Sequence, residues 1–329
     1  MTQEQRLPGF PIKFVSFVRC LYDGAELTLS EAYSRTADDC DSVHSGSVVC
    51  LACGSVFRIE DGILNMLDQS SLDEESANEQ RQRNESQSTF DTRGTAELRT
   101  HHEMEMLPTL EALPVTPSHS ILEVGCGEGR YTTALAGRAN VLAVDFSIGL
   151  LRVLQRRLPP GTENVGLVLG DVTTFKPAPG KFEYTLSTLT SNLPSRKHRE
   201  ALYRLAQTAL LPNGRFVFSS HLQGIRKILA GQKKSDQYTP GGIYRYNFGL
   251  SEAAAEVRPY FKNVDAKPIQ IYFPLSRSLG LPIVRLSRML ERLPIVNLLG
   301  ELVLVKAEQP QEPCIGIASA PGTGRSAEV

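Results

Sequence analysis

"ILEVGCGEGR", residues 121–130, is an apolar run that breaks into glycines at alternate positions, Gly125, Gly127 and Gly129. A short buried strand ending in a glycine turn is how the first strand of a nucleotide-binding α/β domain meets its ligand. Glycine there admits positive φ and lets the backbone approach closely. The spacing is G-x-G-x-G, and Arg130 stands where the dinucleotide fingerprint G-x-G-x-x-G has its last glycine. Glu123, two residues before the turn, points the same way, because a carboxylate there repels a pyrophosphate. It suits a ligand whose local groups are cationic, such as an ammonium or a sulfonium.

Strand and helix signals alternate outward from this turn. "SILEVG" (120–125), "NVLAVDF" (140–146), "VGLVLGD" (165–171), "KFEYTLST" (181–188) and "RFVFSS" (215–220) read as strands. Ser147 caps a helix with Leu150, Leu151, Leu154 and Leu158 on one face, stopped by Pro159-Pro160-Gly161. Ser195 opens another, with Leu202, Leu205, Ala206, Ala209 and Leu210 inward. Apolar strands alternating with helices imply a parallel sheet covered on both faces. "VDAKPIQIYF" (264–273) and "ELVLVKAE" (301–308) complete it, with no strong helix between them, so the last pair is expected to be antiparallel.

Ligands of such a sheet bind beyond the carboxyl ends of its strands. Asp145 ends the second strand, where a carboxylate can accept both hydroxyls of a ribose. Asp171 ends the third, within reach of the exocyclic amine of an adenine. With Glu123, these carboxylates outline a nucleoside joined to a cationic amino acid, the shape of S-adenosylmethionine.

"ILEVGCGEGRYTTALA", "VLAVDFS", "GDV" and "LLPNGRFVFSSH" together resemble the successive motifs of class I S-adenosylmethionine-dependent methyltransferases, over about residues 119–307. The resemblance implies a Rossmann-like seven-stranded α/β sheet with a reversed final strand. It places Glu123, Gly125, Gly127 and Gly129 near the methionine end of the cofactor and Asp145 on the ribose. Asp171 and Val172 fall at the adenine, with Phe146 packed on its face.

The front of the chain, residues 10–67, carries cysteines among short β-like runs. "FVRCLYDGAEL" and "VVCLACGSVFRIEDGILNML" resemble the halves of a small zinc ribbon, similar to methyltransferase-partner proteins and to the front of some ribosomal-RNA guanine methyltransferases. Four thiolates from two C-x-x-C knuckles would hold a tetrahedral Zn²⁺. The second knuckle is intact as Cys50 and Cys53. The first has Cys20 but Asp23 where its partner belongs, which leaves the fourth ligand open between Cys40, His44 and no metal at all. Residues 68–90, almost without aliphatic side chains, read as an exposed linker or solvated helix, part of a stretch (68–118) that leads over the cofactor site. Residues 308–329, rich in Pro, Gly, Ser and Ala, read as a disordered tail.

Signals for the methyl acceptor are thinner. Amino-directed DNA methyltransferases carry Asn-Pro-Pro-Tyr after the fourth strand. Here Ser187-Thr188-Leu189-Thr190 stands there, with Asn192 following as a candidate substrate contact. His221, directly after the fifth strand, is the candidate base. Tyr244 and Tyr246 sit on a loop that forms part of the acceptor pocket in related enzymes. His101 and His102 precede the sheet and read as a solvated helix face. Within the lid segment 275–300, Arg285, Arg288 and Arg292 fall on one helical face and Leu286, Met289, Leu290 and Leu293 on another. That pattern suits either a packed lid or a helix resting on a membrane or a lipophilic acceptor.

The 329 residues are 41% hydrophobic and 22% charged, with a net charge of −1. An ordinary globular composition without a global positive field favours a small or lipophilic acceptor over nucleic acid. The alternatives are an RNA methyltransferase gripping its substrate through the ribbon, and a non-catalytic scaffold that binds cofactor and a partner. Six scattered cysteines, no signal-peptide pattern and no run of eighteen apolar residues point to a cytoplasmic protein without a disulfide framework or transmembrane segment.

Overall fold

The computed structural model describes residues 7–35, 41–85, 96–189, 193, 195–234, 237–238, 244–272, 280–294 and 299–312. Asn192, Cys40 and most of the 308–329 tail lie outside them.

The apolar runs form the strands expected of them. After β1 (Phe10–Pro11), β2 (Leu27–Leu29), β3 (Ser34–Arg35), β4 (Ser42–Cys50), β5 (Val56–Glu60) and β6 (Ile63–Asn65) of the front module come the strands of the main sheet. These are β7 (Ser120–Val124), β8 (Asn140–Asp145), β9 (Val165–Leu169), β10 (Phe182–Ser187) and β11 (Leu210–His221), with the small pair β12 (Gln237–Tyr238) and β13 (Tyr244–Arg245), then β14 (Phe261–Ile269) and β15 (Leu302–Pro310). The order across the main sheet is β9-β8-β7-β10-β11-β15-β14. Neighbours from β9 to β11 run parallel, and β15 is antiparallel to both β11 and β14. Every residue of β7 and β9 is buried, as strands covered on both faces require.

The helices are α1 (Glu74–Glu85), α2 (Ala96–Glu111), α3 (Arg130–Leu135), α4 (Ile148–Arg157), α5 (Arg196–Ala209), α6 (Ile225–Leu229), α7 (Leu250–Val257) and α8 (Ile283–Leu290). The capping serines act as the sequence implies: Ser147 accepts from the Leu150 amide and Ser195 from the His198 amide. Two buried apolar clusters lie on opposite faces of the sheet. One includes Leu122, Leu142, Leu202 and Phe216, the other Ile121, Val141, Leu154 and Val217. Successive strand residues therefore divide between them, as the pleat demands.

The front module continues this sheet. β6 pairs parallel with β9, Ile63 opposite Leu167 and Asn65 opposite Leu169, and β5, β4 and β1 follow outward. Phe10, Phe14 and Val18 belong to the same cluster as the core. Phe14 packs so close to Gly166 of β9 that a Cβ there would lie 2.7 Å from its ring. The edge of β9, which a lone domain would leave open, is paired.

Two elements depart from the sequence reading. Residues 74–85 are neither a linker nor a solvated helix. Helix α1 packs on α4, with Ser76 and Gln80 buried. In α8 the faces differ from the pattern, because Ser287 and Glu291 are the buried side chains while Met289 and Leu293 are exposed. Glu291 accepts from the Gln270 amide and Ser287 from the Ile271 amide, so α8 satisfies the backbone just past β14 and turns its polar side inward. Arg288 pairs with Glu291 and Glu111. Residues 275–279 and 295–298 of the lid segment lie outside the described residues. Among the described residues, no helix is long and apolar enough to cross a membrane.

Candidate functional site

A cleft opens at the carboxyl ends of β7, β8, β9 and β10. Its floor is the glycine turn. Gly125 and Gly127 have φ of 72° and 55°, and a Cβ on either would meet nothing within 4 Å, so both face open space. Gly129, at φ 82°, serves packing instead, since a Cβ there would lie 2.1 Å from a Leu154 methyl. That contact seats α4 against the start of α3.

Asp145 and Asp171 both reach the cleft. The two oxygens of Asp145 accept from the Gly127 amide at 2.8 Å and the Ser147 amide at 2.9 Å, which fixes the carboxylate and ties β8 to the turn. Burial raises its pKa, against those amides and nearby Arg83. Asp171 accepts from the Thr173 amide at 2.9 Å. Phe146 and Val172 line the cleft beside them. Glu123 lies behind the wall rather than on it. It is 2% exposed and accepts the Thr132 hydroxyl at 2.6 Å, and burial pushes its carboxyl up to about 7.

The stretch 68–118, expected to lead over the cofactor site, supplies the cover of the cleft, though none of its side chains was legible as a site residue. Ser76, Glu79 and Arg83 of α1 and His102 of α2 line it. Glu79 and Arg83 form an ion pair at 3.0 Å beside Asp145. Gln80 donates to the Phe146 carbonyl at 2.7 Å, and Asn84 accepts the Ser147 hydroxyl at 2.7 Å. His102 is half-buried; desolvation and the neighbouring Arg130 and His101 lower it to about 4. Arg130 pairs with Glu105 at 2.7 Å, and Glu105 accepts the Ser219 hydroxyl at 2.6 Å. Arg130 thus joins the glycine turn to α2 and β11.

The other candidates fall elsewhere. His221 is not on the wall of the cleft. It sits half-buried at the end of β11, where desolvation, Arg245 and Lys227 push its imidazole down to about 3. That value makes it a weak base. Tyr244 is buried, and the Tyr246 hydroxyl donates to Glu252 at 2.6 Å; neither reaches the cleft. Ser187, Thr188, Leu189 and Leu193 form the wall on the β10 side.

In the front module, Cys20, Asp23, Cys50 and Cys53 bring one ligand atom each to within 4.8 Å of one another. Cys20 Sγ and Cys53 Sγ are 3.6 Å apart, and Cys50 Sγ lies 3.4 Å and 3.5 Å from the Asp23 oxygens. With zinc–sulfur bonds of about 2.3 Å and zinc–oxygen bonds of about 2.0 Å, a tetrahedron has S···S edges near 3.8 Å and S···O edges near 3.5 Å. The four side chains fit Zn²⁺. Asp23, which stands where the sequence reading found a thiolate missing, would fill the fourth corner. His44 instead faces Asp61 at 3.7 Å.

Residues 121–214 match the family Methyltransf_25, described as a methyltransferase domain. No curated protein matches the chain. Among solved structures, the DhpI–SAM–HEP complex is similar at 14% identity and TM-score 0.50, over 70% of this chain and 96% of that one. A Haemonchus contortus phosphoethanolamine N-methyltransferase 2 complex with S-adenosyl-L-methionine shares 15% identity over 63% of this chain and 52% of that one, TM-score 0.44. The Haloferax volcanii complex of the Trm112 methyltransferase activator with a methyltransferase shares 12% over 65% and 92%, TM-score 0.46. The family match falls on the motifs that carried the resemblance, and the fold is that of class I methyltransferases.

Proposed function

We propose that this chain is an S-adenosylmethionine-dependent methyltransferase acting on a small or lipophilic metabolite. One observation carries the reading: Asp145, its carboxylate fixed by two backbone amides, stands in a cleft floored by glycines that face open space. Each of its oxygens keeps a lone pair for a ribose hydroxyl. The fit extends along the sheet. Asp171, Val172 and Phe146 would hold the adenine end, and the turn from Gly125 to Gly129 would hold the methionine end, with buried Glu123 supplying negative potential behind it.

The cofactor supplies a methyl group on a positively charged sulfur. The protein's part is to orient the acceptor beside it and exclude water. Given the order β9-β8-β7-β10-β11, adenine over β9 and methionine over β7 would leave the acceptor over β10 and β11. Ser187, Thr188, Leu189 and Leu193 form the wall it would meet. Helices α1 and α2 roof the cleft, which favours a small acceptor over a polynucleotide. The cysteine cluster would hold Zn²⁺ as a structural clamp between two hairpin tips.

Calorimetry with S-adenosylhomocysteine tests the cofactor reading. Wild type should bind, and Asp145→Ala should bind at least ten-fold more weakly, as expected for loss of charge-assisted hydrogen bonds worth about 1.5–3 kcal/mol. Absence of heat with the wild-type protein would end the proposal. Radiolabelled S-adenosylmethionine in host extract, fractionated into RNA, protein, lipid and small molecules, then reads the acceptor class. Label confined to RNA would replace the metabolite reading.

A further inference from the structure

Basic side chains gather past the end of β11, just beyond the cleft wall. The Lys227 ammonium, on α6, donates to the Leu222 carbonyl at 2.8 Å and to Asn247 Oδ1 at 3.0 Å. The segment carrying Arg245 is laid alongside: the Phe248 amide donates to the His221 carbonyl at 2.8 Å and the Gln223 amide to the Phe248 carbonyl at 2.7 Å. Among the described residues, Arg245 Nε is buried without a hydrogen-bond partner, and neither Arg245 nor Lys227 forms an ion pair with a carboxylate. His221 completes the corner.

Their proximity is costly as it stands. Burial and Arg245 bring Lys227 down to about 8, opposed by Glu301, and burial lowers Arg245 as well. Cations collected in a desolvated corner, one with an unsatisfied donor, are arranged for an anion that would pair with them all.

The corner also lies where an acceptor would extend. Ser219 of β11 accepts the amide of Leu189, a cleft residue, at 3.0 Å. His221 is two residues further on the same strand face, roughly 7 Å along it. A small molecule with its reactive atom at the β10 wall would place a group one or two bonds beyond that span among these cations.

We propose that Arg245 and Lys227, with His221 beside them, bind an oxyanion of the methyl acceptor, a phosphate or a carboxylate, so that the enzyme's substrate is a small organic acid. The inference rests on the methyltransferase reading above. It identifies the chemistry of the acceptor's far end, and the methylated atom is a separate matter.

The test titrates the full chain, saturated with S-adenosylhomocysteine, with inorganic phosphate and with acetate, following calorimetric heat and, for phosphate, ³¹P line broadening. Wild type should bind at least one of them saturably, the tighter of the two marking the acid class. Arg245→Gln and Lys227→Gln should each weaken binding at least ten-fold. Arg245→Lys should retain part of it, and Arg58→Gln, an exposed side chain on β5 of the front module, all of it. No saturable binding by wild type, or equal affinity in Arg245→Gln and wild type, overturns the proposal. S-adenosylhomocysteine binding by the same samples keeps the two readings apart. Cofactor binding without anion binding sinks only the corner, whereas anion binding without cofactor binding sinks the methyltransferase reading.

Discussion

Glu123 shows how one side chain can be legible in type while its burial is not. Its position before the glycine turn marks a ligand with cationic groups, yet the structure buries it behind the wall, where desolvation holds its carboxyl up near 7. A carboxyl whose folded pKa is raised favours the folded state below its unfolded pKa and loses that advantage as pH climbs through the folded value. The loss therefore accumulates between about pH 4.5 and 7 and reaches about 3 kcal/mol at most. Glu123→Gln, which keeps an acceptor for Thr132, should flatten that fall. Its melting temperature at pH 8 should exceed that of wild type without cofactor. An ammonium-bearing ligand drawn to the ionised form should release a proton on binding below pH 7, seen as a calorimetric heat that varies with the buffer's ionisation enthalpy. Identical pH–stability curves for the two proteins would show that burial does not raise this carboxyl. Other residues were legible only in part. Asp145 and Asp171 follow from strand ends, because an apolar run that stops at an acid says where the acid points. His221 and His102 do not: a histidine's neighbours decide its basicity, and those neighbours come from α6, β13 and α3. Asp23 was discounted because it is not a thiol, although an oxygen ligand closes the same tetrahedron.

Helix α1 is the element that pattern reading left open between an exposed linker and a solvated helix. Its twelve residues have no apolar stripe, and hydrophobic periodicity is the signal by which a packed helix is recognised. It is held by polar contacts instead. At one end Asp73 accepts from the Ser76 amide at 2.8 Å and faces His198 Nε2 at 3.2 Å, which ties α1 to the start of α5. At the other, Asn84 accepts from the Ser147 hydroxyl and from the Gly149 amide at 3.1 Å, at the start of α4. Between these anchors Glu79 and Arg83 face the cleft. A roof fastened by a few hydrogen bonds, each worth about 1 kcal/mol, can open without unfolding the sheet beneath. Asn84→Ala removes two of them. Stopped-flow measurement should show S-adenosylhomocysteine leaving roughly three- to thirty-fold faster, with the far-UV spectrum and the melting temperature of the unliganded protein little changed. An unaltered dissociation rate would mean that α1 is not the roof over the bound cofactor. The core strands and α4 and α5 lie at the other extreme. Ser147 and Ser195 announce their helices, Pro159-Pro160-Gly161 ends one of them, and the buried leucines follow the 3.6-residue period.

At the scale of the whole molecule, the sequence suggests two bodies and the structure shows one sheet. Cysteine spacing and the polar stretch after residue 67 separate the front module from the core. The pairing of β6 with β9 cannot be read from either strand, because register between distant segments is set by tertiary packing. That seam has a thermodynamic consequence. Phe10, Phe14, Val18, Leu64 and Met66 are buried in the same cluster as Leu142 and Val168, so unfolding the module strips apolar cover from the core. The four candidate metal ligands sit in the same module, where Cys20 and Cys50 are buried members of that apolar cluster. Zn²⁺ held by the folded arrangement of these four side chains would add its binding energy to the folding energy. If the sheet transmits it, the whole chain shares the gain. Scanning calorimetry of zinc-loaded protein should give a single transition, and a strong chelator should lower that transition as a unit, with Cys53→Ala matching the chelated wild type. Two transitions, of which only the lower responds to metal, would show that the β6–β9 seam joins the parts without coupling their stability.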